Sequence, residues 1–274
     1  VRVILLSENT TYRRDVGAEH GLSFLVESKE GRILFDTGQS RLFLENARRL
    51  GVTLDGIDTV FISHGHFDHT GGLVHLPFPA AVYGHPDIFR ERYAKPKGAG
   101  AARSIGIPFS REELESGRDG LRFRLSREPV TVAGFTLTGE VEYRNEFEPP
   151  SDRFFLDAGC TKPDDIPDDQ SVFFETGGGL SVLLGCCHRG IANTLDHIRD
   201  LTGEKNFDRI IGGTHLMNAK PERVRKTIDY LQKAVGFREI VPLHCTGPQA
   251  RTMFAGAFGG RYRTFSCGDT LDFS

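Results

Sequence analysis

The strongest constraint on this chain is the run Ser63-His64-Gly65-His66-Phe67-Asp68-His69-Thr70-Gly71-Gly72, which follows directly on the apolar stretch Thr59-Val60-Phe61-Ile62. Three imidazoles and a carboxylate fall within six residues at the end of what reads as a buried strand. In extended backbone alternate side chains share a face, so His64 and His66 point the same way and can reach one metal. A tight turn then swings Asp68 and His69 toward a second position, and Gly71-Gly72 supply the backbone freedom for it. Imidazole and carboxylate are ligands that zinc, iron and manganese accept. The alternative is a His-rich surface loop, but by background frequencies such a pattern arises by chance in roughly one chain in a thousand or fewer.

The rest of the chain has room for a fold around this loop. Its 274 residues suffice for a sizeable core. Alternation and β-branched content mark strands near 1–6, 22–27, 32–36, 59–63 and 80–84, then near 121–125, 130–138, 171–176, 180–185, 208–213, 238–243 and 262–266. Gly177-Gly178-Gly179 reads as a hairpin turn. Apolar stripes mark three helices: Phe43, Ala47 and Leu50 before Gly51; Ile191, Leu195, Ile198 and Leu201 before Gly203; and Val224, Ile228, Leu231 and Val235, opened by Pro221 and closed by Gly236. Hairpins come first and strands alternating with helices follow, an order that suits an α/β pair of mixed sheets with helices outside. Two long aperiodic stretches, 94–120 and 143–170, read as insertions over the site in a single domain spanning 1–274.

The motif His64-x-His66-x-Asp68-His69, together with Phe35-Asp36-Thr37-Gly38 upstream, resembles the signature of the metallo-β-lactamase superfamily. The resemblance implies a four-layer αββα sandwich of two mixed sheets, with the site at one edge between the sheets and Asp36 buttressing the metal loop. It also implies attack by a metal-bound hydroxide. Leu243-His244-Cys245-Thr246-Gly247 after a strand matches the place of the family's last histidine ligand. The middle ligands depart from the family pattern: Thr138-Gly139-Glu140 and Leu184-Gly185-Cys186-Cys187-His188 stand where most members have Gly-His-Thr and Gly-Asp segments. No bridging aspartate is evident, and His188 is the best remaining imidazole. Cys186 or Cys187 could ligate instead, although small buried apolar roles are commoner for such thiols. His215, in Gly212-Gly213-Thr214-His215, ends another strand and reads as a substrate contact. His20, His75, His85 and His197 read as ordinary surface or core histidines. These departures resemble one subgroup, the 7,8-dihydropterin-6-yl-methyl-4-(β-D-ribofuranosyl)aminobenzene 5′-phosphate synthases, whose members are also described as metal-dependent hydrolases.

The expected metal set is therefore His64, His66 and His188 for one ion and Asp68, His69 and His244 for a second, with Asp68 and His215 as catalytic candidates. Divalent zinc is the expected cofactor, as one ion or two, with manganese or iron as alternatives. The expected activity is hydrolysis of a small anionic substrate, such as a phosphorylated pterin or aryl-riboside ester. The amides at the start of the helix near Gly190, with Arg189 beside them, are candidates to receive its anionic group. A mononuclear iron oxidoreductase on the same fold is the alternative, because a three-ligand site with open positions also suits iron. A non-catalytic binding protein is a further alternative, though all four motif residues are present. A net charge of −3 without basic clustering speaks against nucleic acid as a partner. No apolar run nears the ~20 residues of a membrane span. Five cysteines, two adjacent at Cys186-Cys187 and the others scattered, are not a disulfide framework, so a reducing cytoplasmic setting is expected.

Overall fold

The computed structural model describes residues 1–96, 98, 100–117 and 120–273. The chain opens with an antiparallel meander, β1 (Arg2–Ser7), β2 (Ser23–Glu27) and β3 (Arg32–Phe35), followed by α1 (Leu42–Arg49) and β4 (Thr59–Phe61). The histidine motif forms a short helix, α2 (Phe67–Thr70), and β5 (Ala81–Gly84) comes next. Then follow β6 (Tyr93–Ala94), β7 (Arg103–Ser104), α3 (Arg111–Ser116), β8 (Arg122–Leu125), β9 (Val130–Val132), β10 (Phe135–Leu137) and β11 (Phe154–Phe155). The second half runs β12 (Ser171–Thr176), β13 (Gly179–Leu184), α4 (Ile191–Thr202), β14 (Asn206–Gly213), α5 (Pro221–Lys233), β15 (Gly236–Leu243), α6 (Pro248–Phe258) and β16 (Thr270–Asp272).

Two mixed sheets result. One has the order β16-β1-β2-β3-β4-β5-β8 and the other β15-β14-β13-β12-β10-β9. Strand alternation makes both faces of each sheet apolar. Val3, Leu5, Phe24, Phe35 and Phe61 of the first sheet meet Leu137, Val172, Leu183, Ile211 and Val241 of the second in the central core. Ile4, Leu6, Leu34 and Val60 point the other way, onto Phe43 and Ala47 of α1. Val182, Leu184 and Ile210 pack outward on Leu195, Leu231 and Phe254 of α4, α5 and α6. The architecture is thus the expected αββα sandwich, with strand ends β3, β4, β13, β14 and β15 gathered on one edge.

Three local readings need correction. No strand covers 262–266: Tyr262 makes one bridge to Ile240, and the chain then turns at Ser266–Asp269, where the Asp269 carboxylate accepts from Ser266 N and Oγ at 2.8 and 3.0 Å. The edge strand forms only afterwards, as β16. The stretch 130–138 is a hairpin rather than one strand, because Ala133 and Gly134 both take positive φ, at 52° and 77°. Helix α6 was not foreseen; its Ala250, Phe254 and Phe258 lie on one face, but small residues around them blur the stripe.

The long segments 94–120 and 143–170 contribute a third sheet, β11-β6-β7, and α3; residues 97, 99, 118 and 119 lie outside the described residues. A buried guanidinium ties these segments to the motif. Arg92, fully buried, donates from Nε to Asp164 Oδ2 at 2.8 Å and from Nη2 to Asp168 Oδ1 at 2.6 Å. Asp168 Oδ2 in turn accepts from Gly65 N at 2.7 Å, between the two motif histidines. Replacing Arg92 with Met leaves two buried carboxylates without their cation, so the unfolding free energy should fall by about 3–5 kcal/mol. A denaturant midpoint unchanged from the wild type would contradict this account of the anchor.

Candidate metal centre

The loops that bear the clustered histidines are held from behind. Asp36, at the end of β3, accepts from Ser63 N (2.8 Å), Ser63 Oγ (2.7 Å) and His69 Nδ1 (2.6 Å). Ser63 Oγ, having given its proton to Asp36, accepts from His64 Nδ1 at 2.9 Å. On the far side, Asn9 Oδ1 accepts from His244 Nδ1 at 2.8 Å. These contacts fix the tautomers: His64, His69 and His244 each carry the proton on Nδ1 and turn a bare Nε2 inward.

The bare nitrogens then converge. His188 Nε2 lies 3.2 Å from His64 Nε2, and His64 Nε2 lies 2.9 Å from His66 Nδ1. His69 Nε2 lies 3.3 Å from His244 Nε2 and 3.2 Å from Cys186 Sγ. Asp68 Oδ2 sits 3.3 Å from His244 Nε2 and 3.0 Å from His20 Nε2. His69 Nε2 and His244 Nε2 are bare on both sides, and lone pairs facing one another at 3.3 Å repel unless a cation lies between them. Tetrahedral zinc with bonds of about 2.0–2.1 Å sets its ligand atoms about 3.3 Å apart. The donor set therefore fits a metal. Among the described residues four groups have ligating atoms within 4.8 Å of one another: His64-His66-His188, His64-His69-Cys186, Cys186-His215-Cys245 and His20-Asp68-His244.

Burial adjusts the protonation states in the same direction. Desolvation holds His64, His66 and His188 well below the usual imidazole range, helped by charge on neighbouring histidines at His64 and His188, and by Arg92 at His66. Burial pushes against ionisation of Asp68 as well, but hydrogen bonds from His20 and His244 prevail and keep its carboxyl well below the ordinary value. At His69 burial is outweighed by the Asp36 charge, which raises its pKa.

Four non-glycine residues of the site adopt left-handed backbone: Asp36, Cys187, His215 and His244, at φ 58°, 60°, 48° and 47°. Such conformations persist only where surroundings over-determine them, and they gather at functional sites. Gly71 and Gly72, by contrast, have ordinary helical φ of −63° and −74°. Their role is not the backbone freedom expected of them but close approach: a Cβ would meet Gln39 O at 2.3 Å and Thr37 O at 2.1 Å.

The expected residues divide as follows. His64, His66, Asp68, His69, His188 and His244 come together, and His215 joins their rim with its ring 4.1 Å from that of His188 and its Nδ1 without a partner. Cys186 reaches the centre, whereas Cys187 turns to Thr194 and the apolar layer under α4. Glu140 stays outside, in a 2.6 Å ion pair with Arg127. His85 and His197 are satisfied, the first by Asp87 N and the second by the Thr138 carbonyl. His20 is not ordinary: it bonds Asp68 and lies against the His244 ring at 5.1 Å. Only its isolation in sequence concealed it. The α4 amides expected to receive a substrate anion are already taken, since Glu148 accepts from Ala192 N and Asn193 N at 3.1 Å. Arg189 is likewise occupied, by Asp165 and Glu140.

The sequence profile of the metallo-β-lactamase superfamily matches residues 16–185. The chain belongs to the metallo-β-lactamase superfamily. A Methanocaldococcus jannaschii relative, 7,8-dihydropterin-6-methyl-4-(beta-D-ribofuranosyl)-aminobenzene-5'-phosphate synthase, is 31% identical over 100% of this chain and 97% of its own. The crystal structure of Tm1679, a metal-dependent hydrolase of the beta-lactamase superfamily, is 30% identical and superposes with a TM-score of 0.84 over 99% of this chain and 98% of that one. The Zn(2+)-bound PqqB structure from Methylobacterium extorquens, 14% identical with a TM-score of 0.58 over 99% and 100%, shares the metallo-β-lactamase fold alone.

Metal removal exposes the imidazole energetics. Below the ordinary histidine value of 6.5 the unfolded chain takes up protons that folded His64, His66 and His188 resist. Stability of the chelated protein should therefore fall as pH drops through that value. His69 works oppositely, contributing fully below 6.5 and fading as pH rises through its raised pKa, but it is one group against three. Thermal melts of metal-free protein between pH of about 7.5 and about 5.5 check the sign; a midpoint rising on acidification would refute it.

Proposed function

We propose that the protein is a metal-dependent hydrolase of a small anionic substrate; the observation that carries the reading is the cluster of imidazoles and the Asp68 carboxylate, of which His66, Asp68, His188 and His244 line a cavity of about 610 Å³. His64, His66 and His188 would hold one divalent ion, and Asp68, His69 and His244 a second, with His20 beside it. Zinc is the metal that best suits the nitrogen-rich set, with manganese or iron as alternatives. When bound, such an ion lowers the pKa of water and takes up negative charge developing on the substrate.

The chain's own groups do the rest. Asp36, Ser63 and Asn9 hold the Nδ1 protons, so that Nε2 of His64, His69 and His244 stays available. Asp68 Oδ2 would orient the nucleophilic water where a single ion is present. His215 Nδ1 would meet the substrate. The name of the Methanocaldococcus jannaschii relative includes an aryl ribofuranosyl phosphate joined to a pterin, and we extend that substrate class, a phosphorylated pterin or aryl riboside, to this chain.

A second reading has its own support. Cys186 stands where a bridging carboxylate is missing, and an ion held by His64, His66 and His188 alone would keep open positions that suit mononuclear iron and oxidoreduction. Metal analysis separates the two: about two equivalents of zinc or manganese per chain support the hydrolase, and about one of iron supports the alternative. His66→Ala should lose metal and abolish turnover of a phosphodiester or lactone screen. Unchanged metal content and turnover in that variant would overturn the assignment.

A further inference from the structure

Three arginines line the same cavity without serving the metal centre. Arg103 lies in β7, Arg153 just before β11, and Arg223 in the first turn of α5. Among the described residues none of them is in an ion pair. Arg103 rests over the Phe67 ring, 5.4 Å from its centroid, and Arg223 Nε is buried with no hydrogen-bond partner. Half-buried and buried guanidinium groups elsewhere in the molecule are paired: Arg92 with Asp164, Arg189 with Asp165, Arg209 with Glu239 and Arg251 with Glu8.

The carboxylates at hand do not balance these charges. Asp68 is held by His20 and His244, and Asp152 is exposed at the rim. Glu148, near enough to feel the Arg223 charge, is committed to the α4 amides. A partly desolvated guanidinium without a partner is unfavourable until an anion arrives, and its fork of donors matches phosphate oxygens. Phe154 lines the same cavity, its ring 5.2 Å from His188 and 5.6 Å from His215. It offers a flat apolar face beside the histidines.

We propose that Arg103, Arg153 and Arg223 bind a phosphate monoester group of the ligand, apart from the metal ligands, with an aromatic part of the ligand lying along Phe154. Three guanidinium groups suit a phosphate dianion with three acceptor oxygens better than a carboxylate with two. The proposal rests on the reading of this cavity as the substrate site, but it does not require hydrolysis.

Calorimetric titration of the metal-loaded protein with phenyl phosphate and with benzoate provides the test. Phenyl phosphate should bind more tightly than benzoate, and added salt should weaken it. Arg223→Gln should raise its Kd about tenfold or more, Arg223→Lys less, with metal content equal to the wild type in both. Arg103→Gln, at an exposed site, should weaken binding independently of any effect on folding. Absence of binding to the wild type, or wild-type affinity in both R223Q and R103Q, would overturn the proposal. So would binding lost in H66A but intact in R223Q, because the phosphate would then sit on the metals. Arginine-dependent binding by a protein that hydrolyses no ester would instead sink the hydrolase reading and leave the phosphate site standing.

Discussion

Everything at the histidine-bearing edge depends on the carboxylate of Asp36. It is fully buried, and a buried carboxylate is tolerable only with its acceptor capacity filled. Ser63 N, Ser63 Oγ and His69 Nδ1 fill it, and through Ser63 the clamp extends to His64. One side chain at the end of β3 thereby fixes the path of the chain leaving β4 and the tautomers of two imidazoles. The left-handed backbone at Asp36 itself aims the carboxylate across the gap between neighbouring strand ends.

A second set of contacts keeps that edge compact. Gly65 leaves no room for a side chain, since a Cβ would lie 2.0 Å from Ile88 O, and its amide is held by Asp168. Asp168 is held by Arg92, so the long segment 143–170 is joined to the metal loop through a fully buried ion pair. The loops that cover the cavity are thus part of the scaffold of the site. They also carry Arg103, Arg153 and Phe154, which line the same cavity as His66, His188 and His244.

Much of this was legible in sequence because it is local. The spacing of His64, His66, Asp68 and His69 after an apolar strand specifies a metal loop on its own, and alternation with a few helical stripes specifies two sheets with helices outside. His188, His215 and His244 were readable because each follows directly on or near a strand end. His20 was not, because it lies in an irregular stretch and acquires its role only from Asp68 and His244, far away in the chain. The helix α6 and the turn at Ser266–Asp269 were missed for a related reason: tertiary packing, rather than periodicity, decides them.

The sequence by itself determined the class of fold and most of the histidines that gather at one edge of it, since these depend on residue type and on strand and helix periods within a few positions. Only the tertiary structure decided which charges remain free. The amides at the start of α4 and Arg189 looked available but are taken by partners distant in sequence, Glu148 and Asp165, while Arg223 Nε is left without a hydrogen-bond partner. Pairing of charges is a property of three-dimensional neighbourhood, and no local pattern encodes it.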